Sequence, residues 1–528
     1  MAYEAPPGLK KNTERTYESW STEYIGSGSP LRAQALFLLA WFHGIVQERR
    51  TYVPQGWTKA YEFSFADLRA GANVIDTLLS PSGPGLPAPE RVPWAYLHGL
   101  LEHAVYGGRV DTLSDIRILR AFLAQVFHPE VLAGRRPIGR GIGSIPLSTR
   151  RDDFLSIIQA LPDADQPHLF ALPDNIERSA QRATFLQVIA SLKALRVPLS
   201  ISGGAFDRDL WSTRLTPILD LCDKLFGAEA STITSATLDD TTKEGGGGGG
   251  KGGSIDPLSA FLLRELSLSK ILISVALKHT SGLKKVLSGT SFLTPAIQIT
   301  ATSLLVDTTP ESWLSAGWPD GPDSASAWLR GLASRRSMLL KWSSGGADAF
   351  SNAILGGSGS INNSNSLRLK DVFLPGTFLN AIRQLTARRL LESVSSKEKE
   401  TSSMDSLKLT CAWDKRLLAK APIVISIAGL LLQGAALDPG RCQLTEALLD
   451  ASEVQVVPEL HIAWVPPSFT EPYAAAEGAD PSTATPTVPV PLFYSLDREK
   501  LLTELQLPCS GEKAKWVLNG VALLIEDR

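Results

Sequence analysis

The stretch WFHGIVQERRTYVPQGWTKAYEFSFADLRAG, residues 41–71, carries more fold information than any other part of this sequence. It is dense in aromatic residues, and Trp41, Tyr52, Trp57 and Tyr61, with Trp94 further on, read as plain core packing, direct contact with a partner being the alternative. Its end opens a helix over residues 64–79. Phe65, Leu68, Ala72, Ile75 and Leu79 fall on one stripe, Ser64 is placed as an N-cap, and Asp67 lies in the first turn.

Working outward, SPSGPGLPAP at 80–89 is a Pro/Gly loop, and a second helix follows over 94–106. Gly107 and Gly108 stop that helix, where a left-handed residue is wanted. A third runs over 114–127, with Ile116, Leu119, Leu123, Val126 and Phe127 at helical spacing. Further helices are expected at about 150–160, 178–195, 208–225, 257–288, 325–341 and 376–394. Glycine-rich polar tracts at 226–256 and 343–366 interrupt the series as surface insertions. Past residue 405 the pattern turns β-rich, with IVISI (423–427), VQVV (454–457), HIAWV (461–465), VPLFY (490–494) and WVLNGVALLI (516–525). Short strands separated by turns suggest a small antiparallel barrel or sandwich. Residues 473–489 are too rich in Pro, Ala and Thr to pack, which predicts a disordered loop.

With 528 residues the chain has room for roughly three domains. Its net charge of −2 and pI of 6.4 exclude a global positive field for nucleic acid or anionic membrane. The arginine pairs at 49/50, 135/136, 150/151, 335/336 and 388/389 are scattered and read as solvated faces and ion pairs. Cys222, Cys411, Cys442 and Cys509 lie far apart, forming neither a disulfide framework nor a zinc motif, which suits a reducing cytosol. The first residues are not a signal peptide, and no apolar run reaches the length of a membrane helix.

Residues 244–254, EGGGGGGKGGS, fit most of a phosphate-binding loop from Gly245 through Gly250 to Lys251. The preceding residues are polar rather than a buried strand, and Gly252 stands where a magnesium-holding hydroxyl belongs. Six consecutive glycines are a joint, not a pre-formed cradle. GRGIGS at 139–144 lacks the third glycine of a dinucleotide fingerprint. His98 and His103 are five apart and on an α-helix point about 140° away from each other, so they cannot share a metal. No catalytic, cofactor-binding or metal-ligating residue is assigned.

Residues 41–71 and HGLLEHAVYGGRVD (98–111) resemble the lid of the sixth AAA+ module of a dynein heavy chain, with its Q-E-R-R helix end, G-W loop and Y-G-G turn. The resemblance continues in order to the last residues. PHLFALPDNIERSAQR (167–182) looks like the start of the dynein C-terminal domain, and VFLPGTFLNAIRQLTARR (372–389) like one of its helices. IAGLLLQGAALD (427–438) is similar to a strand pair of that domain, and VPLFYSLDRE (490–499) to its last strand and turn. Within the family, the wording around 54–71 and 172–182 points to the cytoplasmic dynein 2 branch, the motor of retrograde intraflagellar transport.

The resemblance implies an α+β protein: a helical AAA+ lid followed by a helical and β-barrel-like C-terminal domain. Residues 1–30 would close the large subdomain of the sixth module, 31–165 would form its lid, and 166–528 the C-terminal domain. The Y-G-G turn would hold Arg109 and Asp111 at a ring contact. The implied role is mechanical, closing and stabilising a ring, and not itself catalytic. ATP and magnesium would sit in upstream modules. The implied partners are those modules, dynein 2 subunits and microtubules reached through other parts, with no nucleic acid and no membrane. The implied location is cytoplasm, cytoskeleton and cilium. A free-standing helical adaptor derived from such a motor, or a nucleotide-using enzyme built around Lys251, are the alternatives.

Overall fold

Ser29 and Pro30 start the helix that organises the first half of the protein. In a computed structural model, which describes residues 8–79, 92–139, 142–201, 208–228, 256–344, 366–393, 404–438, 440–448, 452–474 and 485–526, the Ser29 hydroxyl accepts the Arg32 N–H at 3.2 Å. Pro30 occupies the first turn, where a missing N–H costs nothing. The principal helices are α1 (Leu9–Glu18), α2 (Pro30–Glu48), α3 (Phe65–Leu79), α4 (Trp94–Gly99), α5 (Leu113–Val126), α6 (Arg151–Gln159), α7 (Ile176–Ile201), α8 (Arg208–Phe226), α9 (Pro257–Leu287), α10 (Pro295–Leu305), α11 (Ala325–Ser343), α12 (Pro375–Ser393) and α13 (Lys513–Leu518). The strands are β1 (Lys408–Ala412), β2 (Ile425–Ile427), β3 (Leu431–Gln433), β4 (Ala436–Leu437), β5 (Leu444–Thr445), β6 (Val454–Val456), β7 (Leu460–Val465), β8 (Thr487–Phe493), β9 (Leu501–Pro508) and β10 (Ala522–Leu524).

Contacts divide the chain into two compact units. The first comprises Met1–Thr184, Leu430–Val457 and Tyr473–Arg528. The second comprises Phe185–Gly429 and Pro458–Pro472.

In the first unit α2 is buried on every side, from Leu31 to Val46, as a mostly apolar helix must be, with Arg32, Gln34 and His43 buried among its apolar residues. Helices α1, α3 and α5 pack on it. At the start of α3, Asp67 closes half a capping box, its Oδ2 accepting the Ser64 N–H at 2.8 Å and the Ser64 hydroxyl at 3.0 Å. Leu68, Ala72, Ile75 and Leu79 are buried as their stripe requires, whereas Phe65 is 49% exposed. The helix expected over 94–106 changes type midway. Leu100–Val105 is a π-helix, and the Tyr106 N–H donates to the Leu101 carbonyl at 2.9 Å. Gly107 is therefore needed for space, not for a left-handed backbone. A Cβ there would lie 1.6 Å from the Glu102 carbonyl oxygen.

The strands of this unit form an open sheet, ordered β6-β3-β10-β8-β9, and a small β4-β5 pair. The expected antiparallel barrel does not form among the described residues. The reason lies in residues 516–525, expected as one strand. Trp516 to Leu518 belong to α13, a turn at Asn519 and Gly520 follows, and only Ala522–Leu524 is extended. That helix delivers β10 into the middle of the sheet parallel to β8, with Leu523 opposite Leu492. Parallel neighbours need such a crossover, and β6 and β9 remain as open edges. No strand was expected over residues 501–508, where β9 runs.

The second unit holds α8 to α12, the greater part of α7, and the sheet β1-β7-β2. The sequence reading missed α10, whose polar threonines hide its period. Trp313, Trp318, Trp328 and Phe373 form one aromatic cluster, with the Arg335 guanidinium 4.3 Å from the Trp318 ring centroid. Glu265, fully buried on α9, accepts the N–H groups of Phe373 and Leu374 at 2.8 and 2.9 Å. Those two donors lie just ahead of α12, so one carboxylate holds its N-terminal end. Residues 229–255, most of 343–366 and the greater part of 473–489 lie outside the described residues.

Candidate functional site

Arg49 follows the last residue of the mostly apolar α2, and its side chain turns inward. It is completely buried. Its Nε donates to the Gly56 carbonyl at 2.6 Å, and its two terminal nitrogens donate to the carbonyls of Phe170 and Leu518. Three segments far apart in sequence thus converge on one planar donor fork. The ring of Phe122 lies 5.0 Å from the guanidinium carbon and that of Trp57 5.9 Å. Burial lowers the guanidinium pKa to about 9, opposed by the charge of Asp115. The group is still cationic at neutral pH. Asp115 is itself buried and held by the Thr58 N–H (3.1 Å), the Thr58 hydroxyl (2.5 Å) and the Tyr61 hydroxyl (2.8 Å).

A second buried arginine works from the connection between β8 and β9. Arg498 donates twice to the Gln433 side-chain oxygen, at 3.2 and 2.7 Å, and to the Gly520 carbonyl at 2.7 Å. Gln433 donates in turn to Ser179 Oγ at 3.4 Å and to Glu453 at 3.1 Å, and Arg182 pairs with Glu453 at 3.5 Å. Burial lowers the Arg498 pKa to about 10. Gln55 reaches the Asn519 carbonyl at 2.9 Å. Gly520 next to it has φ +64, and a Cβ there would stand 2.3 Å from the Gln55 carbonyl oxygen. Nearer the surface, Arg117 of α5 grips both oxygens of Glu504 on β9, at 2.7 and 2.8 Å.

The site therefore joins the helices of residues 8–184 to the strands of 430–457 and 485–526. Its two buried arginines donate to backbone carbonyls and one amide oxygen, the chemistry of a clamp. A cleft of about 320 Å³ lies beside it, lined by Trp41, Phe122, His168, Asp174 and Lys515.

Members of two of the arginine pairs expected on solvated faces and in ion pairs prove interior instead. Arg49 is buried here, and Arg335 and Arg336 are buried in the second unit, where Arg336 donates to Ser269 Oγ at 3.0 Å. Trp41, Trp57 and Tyr61 are core as expected, while Tyr52 and Trp94 are half-buried. Arg109 pairs with Asp67 at 3.2 Å, and Asp111 with Lys59 at 3.4 Å on the surface. His98 sits 2.8 Å from the Phe127 carbonyl. The α-helical angle used to separate it from His103 does not hold through the π-helical residues. Among the described residues no group of three or more potential ligands could hold a metal ion. Gly245 to Lys251 lie outside the described residues. Arg498, Gln55 and Arg117 carried no local signal, because each contacts a partner remote in sequence.

The family described as "Dynein heavy chain AAA lid domain" matches residues 32–176, and the family of the C-terminal domain of the dynein heavy chain matches 187–525. Cytoplasmic dynein 2 heavy chain 1 of Tripneustes gratilla is 39% identical over 533 residues, covering 100% of this sequence and 11% of that protein. The protein of the same name from Chlamydomonas reinhardtii is 39% identical, covering 99% and 11%. The cytoplasmic dynein heavy chain of Dictyostelium discoideum is 26% identical, covering 99% and 10%. The chain thus spans about a ninth of the length of the relatives it matches. No helix among the described residues is long and apolar enough to cross a membrane. With both domain descriptions matched in order over nearly all its length, the chain belongs to the dynein heavy chain family.

Proposed function

We propose that this chain acts as the ring-closing end of a cytoplasmic dynein 2 heavy chain, a microtubule motor for retrograde intraflagellar transport. Its part is mechanical: the lid and the late strands move as one body and pass ring conformations onward, without catalysing ATP hydrolysis themselves. ATP and magnesium belong to upstream AAA+ modules, which are its partners within the same polypeptide. Dynein 2 subunits and microtubules are reached through other parts of the motor, and the protein works in the cytoplasm, on the cytoskeleton and in cilia.

The observation that carries this reading is the clamp at Arg49. Residues matched to the AAA lid and residues near the far end of the C-terminal domain share one core, as a part that transmits motion must. The higher identity to dynein 2 relatives, 39% against 26%, supports that branch.

An immunoblot of ciliated source cells with an antibody to residues 516–528 tests it. A band of several hundred kilodaltons is expected. A single band at the 56.9 kDa of this sequence would replace the motor with a free-standing adaptor. Calorimetry on the protein with ATP and magnesium should give no binding, and stoichiometric binding would overturn the non-catalytic reading.

A further inference from the structure

Helix α8 contains Pro217 in its interior. A proline supplies no N–H, so the Thr213 carbonyl one turn earlier receives no hydrogen bond from residue 217. The same face of α8 presents Arg214, Ile218, Leu221 and Lys224, spaced three to four residues apart. This face walls a groove of about 660 Å³ within the second unit. The far wall is the end of α10, with Leu304 and Leu305, followed by Val306 and by Arg330 of α11.

The floor is apolar, with Ile218 and Leu304 buried and Leu221, Leu305 and Val306 half-buried. The rim is basic. Arg214, Lys224 and Arg330 are exposed and make no ion pair among the described residues. Two carboxylates line the groove, but Asp307 is committed to capping α11. It accepts the Ser326 N–H at 3.0 Å and the hydroxyls of Ser324 and Ser326 at 2.6 and 3.1 Å. Counted formally, three cations face two carboxylates, which leaves the lining net positive. Among the described residues no aromatic ring lines the groove, which disfavours stacking of nucleic-acid bases.

We propose that this groove docks a short amphipathic segment of a partner protein, its apolar anchor between α8 and α10 and its carboxylates on Arg214, Lys224 and Arg330. An apolar floor inside a cationic rim is complementary to a helix with leucine-type anchors flanked by glutamate or aspartate. The inference does not rest on the ring-closing role, so either can fail without the other.

The test is fluorescence anisotropy on the 528-residue chain. The probe is a capped, fluorescein-labelled helical peptide with leucines spaced three and four apart and glutamates on their flanks. It should bind, and bind more weakly as salt rises from about 50 mM to about 300 mM. Arg214→Glu, Lys224→Glu and Arg330→Glu together should weaken binding by at least about tenfold. Lys278→Glu with Lys285→Glu, at exposed positions outside the groove, should leave it unchanged. These side chains are exposed, and an unchanged circular dichroism spectrum confirms the fold. The proposal is overturned by no binding at about 1 mM peptide, or by equal binding to the charge-reversed groove. Equal binding of a lysine-flanked peptide, or displacement by an oligothymidine, would also overturn it.

Discussion

Arg49 donates to three backbone carbonyls inside the core, so its removal leaves more than a missing charge. A lysine at 49 keeps the cation, but its donors leave one nitrogen at the end of a flexible stem. That nitrogen cannot span the carbonyls of Gly56, Phe170 and Leu518 at once. Each buried carbonyl left unpaired costs about 1–3 kcal/mol. Arg49→Lys should therefore destabilise the first unit by about 2–4 kcal/mol in urea unfolding followed by tryptophan fluorescence. A change within about 0.5 kcal/mol of zero, the range of an ordinary surface substitution, would mean the fork contributes nothing. At this scale the sequence hid most of the site. A charged pair at a helix end reads as solvent-facing, and the acceptors that make Arg49 interior include Phe170 and Leu518, 121 and 469 residues away.

Elements were easier to read than residues, because a stripe repeated over several turns needs no distant partner to be recognised. Helices α3, α5, α8, α9, α11 and α12 lie where the apolar spacing puts them. The π-helical stretch at Leu100–Val105 did not announce itself, since its signal is one tight approach at Gly107 rather than a period. The join between α9 and α12 was equally silent, and it carries a pH dependence. Burial raises the Glu265 carboxyl to about 7, against the two backbone N–H groups and the positive charges of Arg335 and Arg264, which favour the ionised form. The native state then binds more protons than the unfolded chain between about pH 4.5 and pH 7. The stability from this group is full below pH 4.5, falls as pH climbs through 7, and is flat beyond. The loss for a shift of this size is about 3 kcal/mol in the second unit. His43 in the first unit runs the other way. Its pKa is lowered to about 4 by burial, so its stability is lost as pH falls from 6.5 towards 4. Unfolding of Glu265→Gln at several pH values should show the slope of the second unit flattened and that of the first unchanged. A variant with the wild-type slope would locate the titrating group elsewhere.

At the scale of the whole molecule, the mixed fold class was legible from the switch of period near residue 405, but the destination of the strands was not. Period-two patterning names a strand and one of its faces; it does not name the neighbour that strand will pair with. Here β1, β2 and β7 serve the second unit while β3, β6, β8, β9 and β10 serve the first, with the boundaries at Gly429/Leu430 and Val457/Pro458. The last residues thus complete a unit that begins near the first. Ending the protein at Ser510 removes α13 and β10, and with them the Leu518, Asn519 and Gly520 carbonyls that receive Arg49, Gln55 and Arg498. It also removes the strand between β3 and β8, which divides the five-stranded sheet. Hydrogen exchange followed by mass spectrometry should then show amides of α2, α5 and β8 losing protection by about tenfold or more, while α9, α11 and α12 exchange as before. Equal loss in both units would make them one cooperative body. Unchanged protection of α2 would mean the helices of the first unit hold without the clamp, and the mechanical role proposed for it would lose its physical basis.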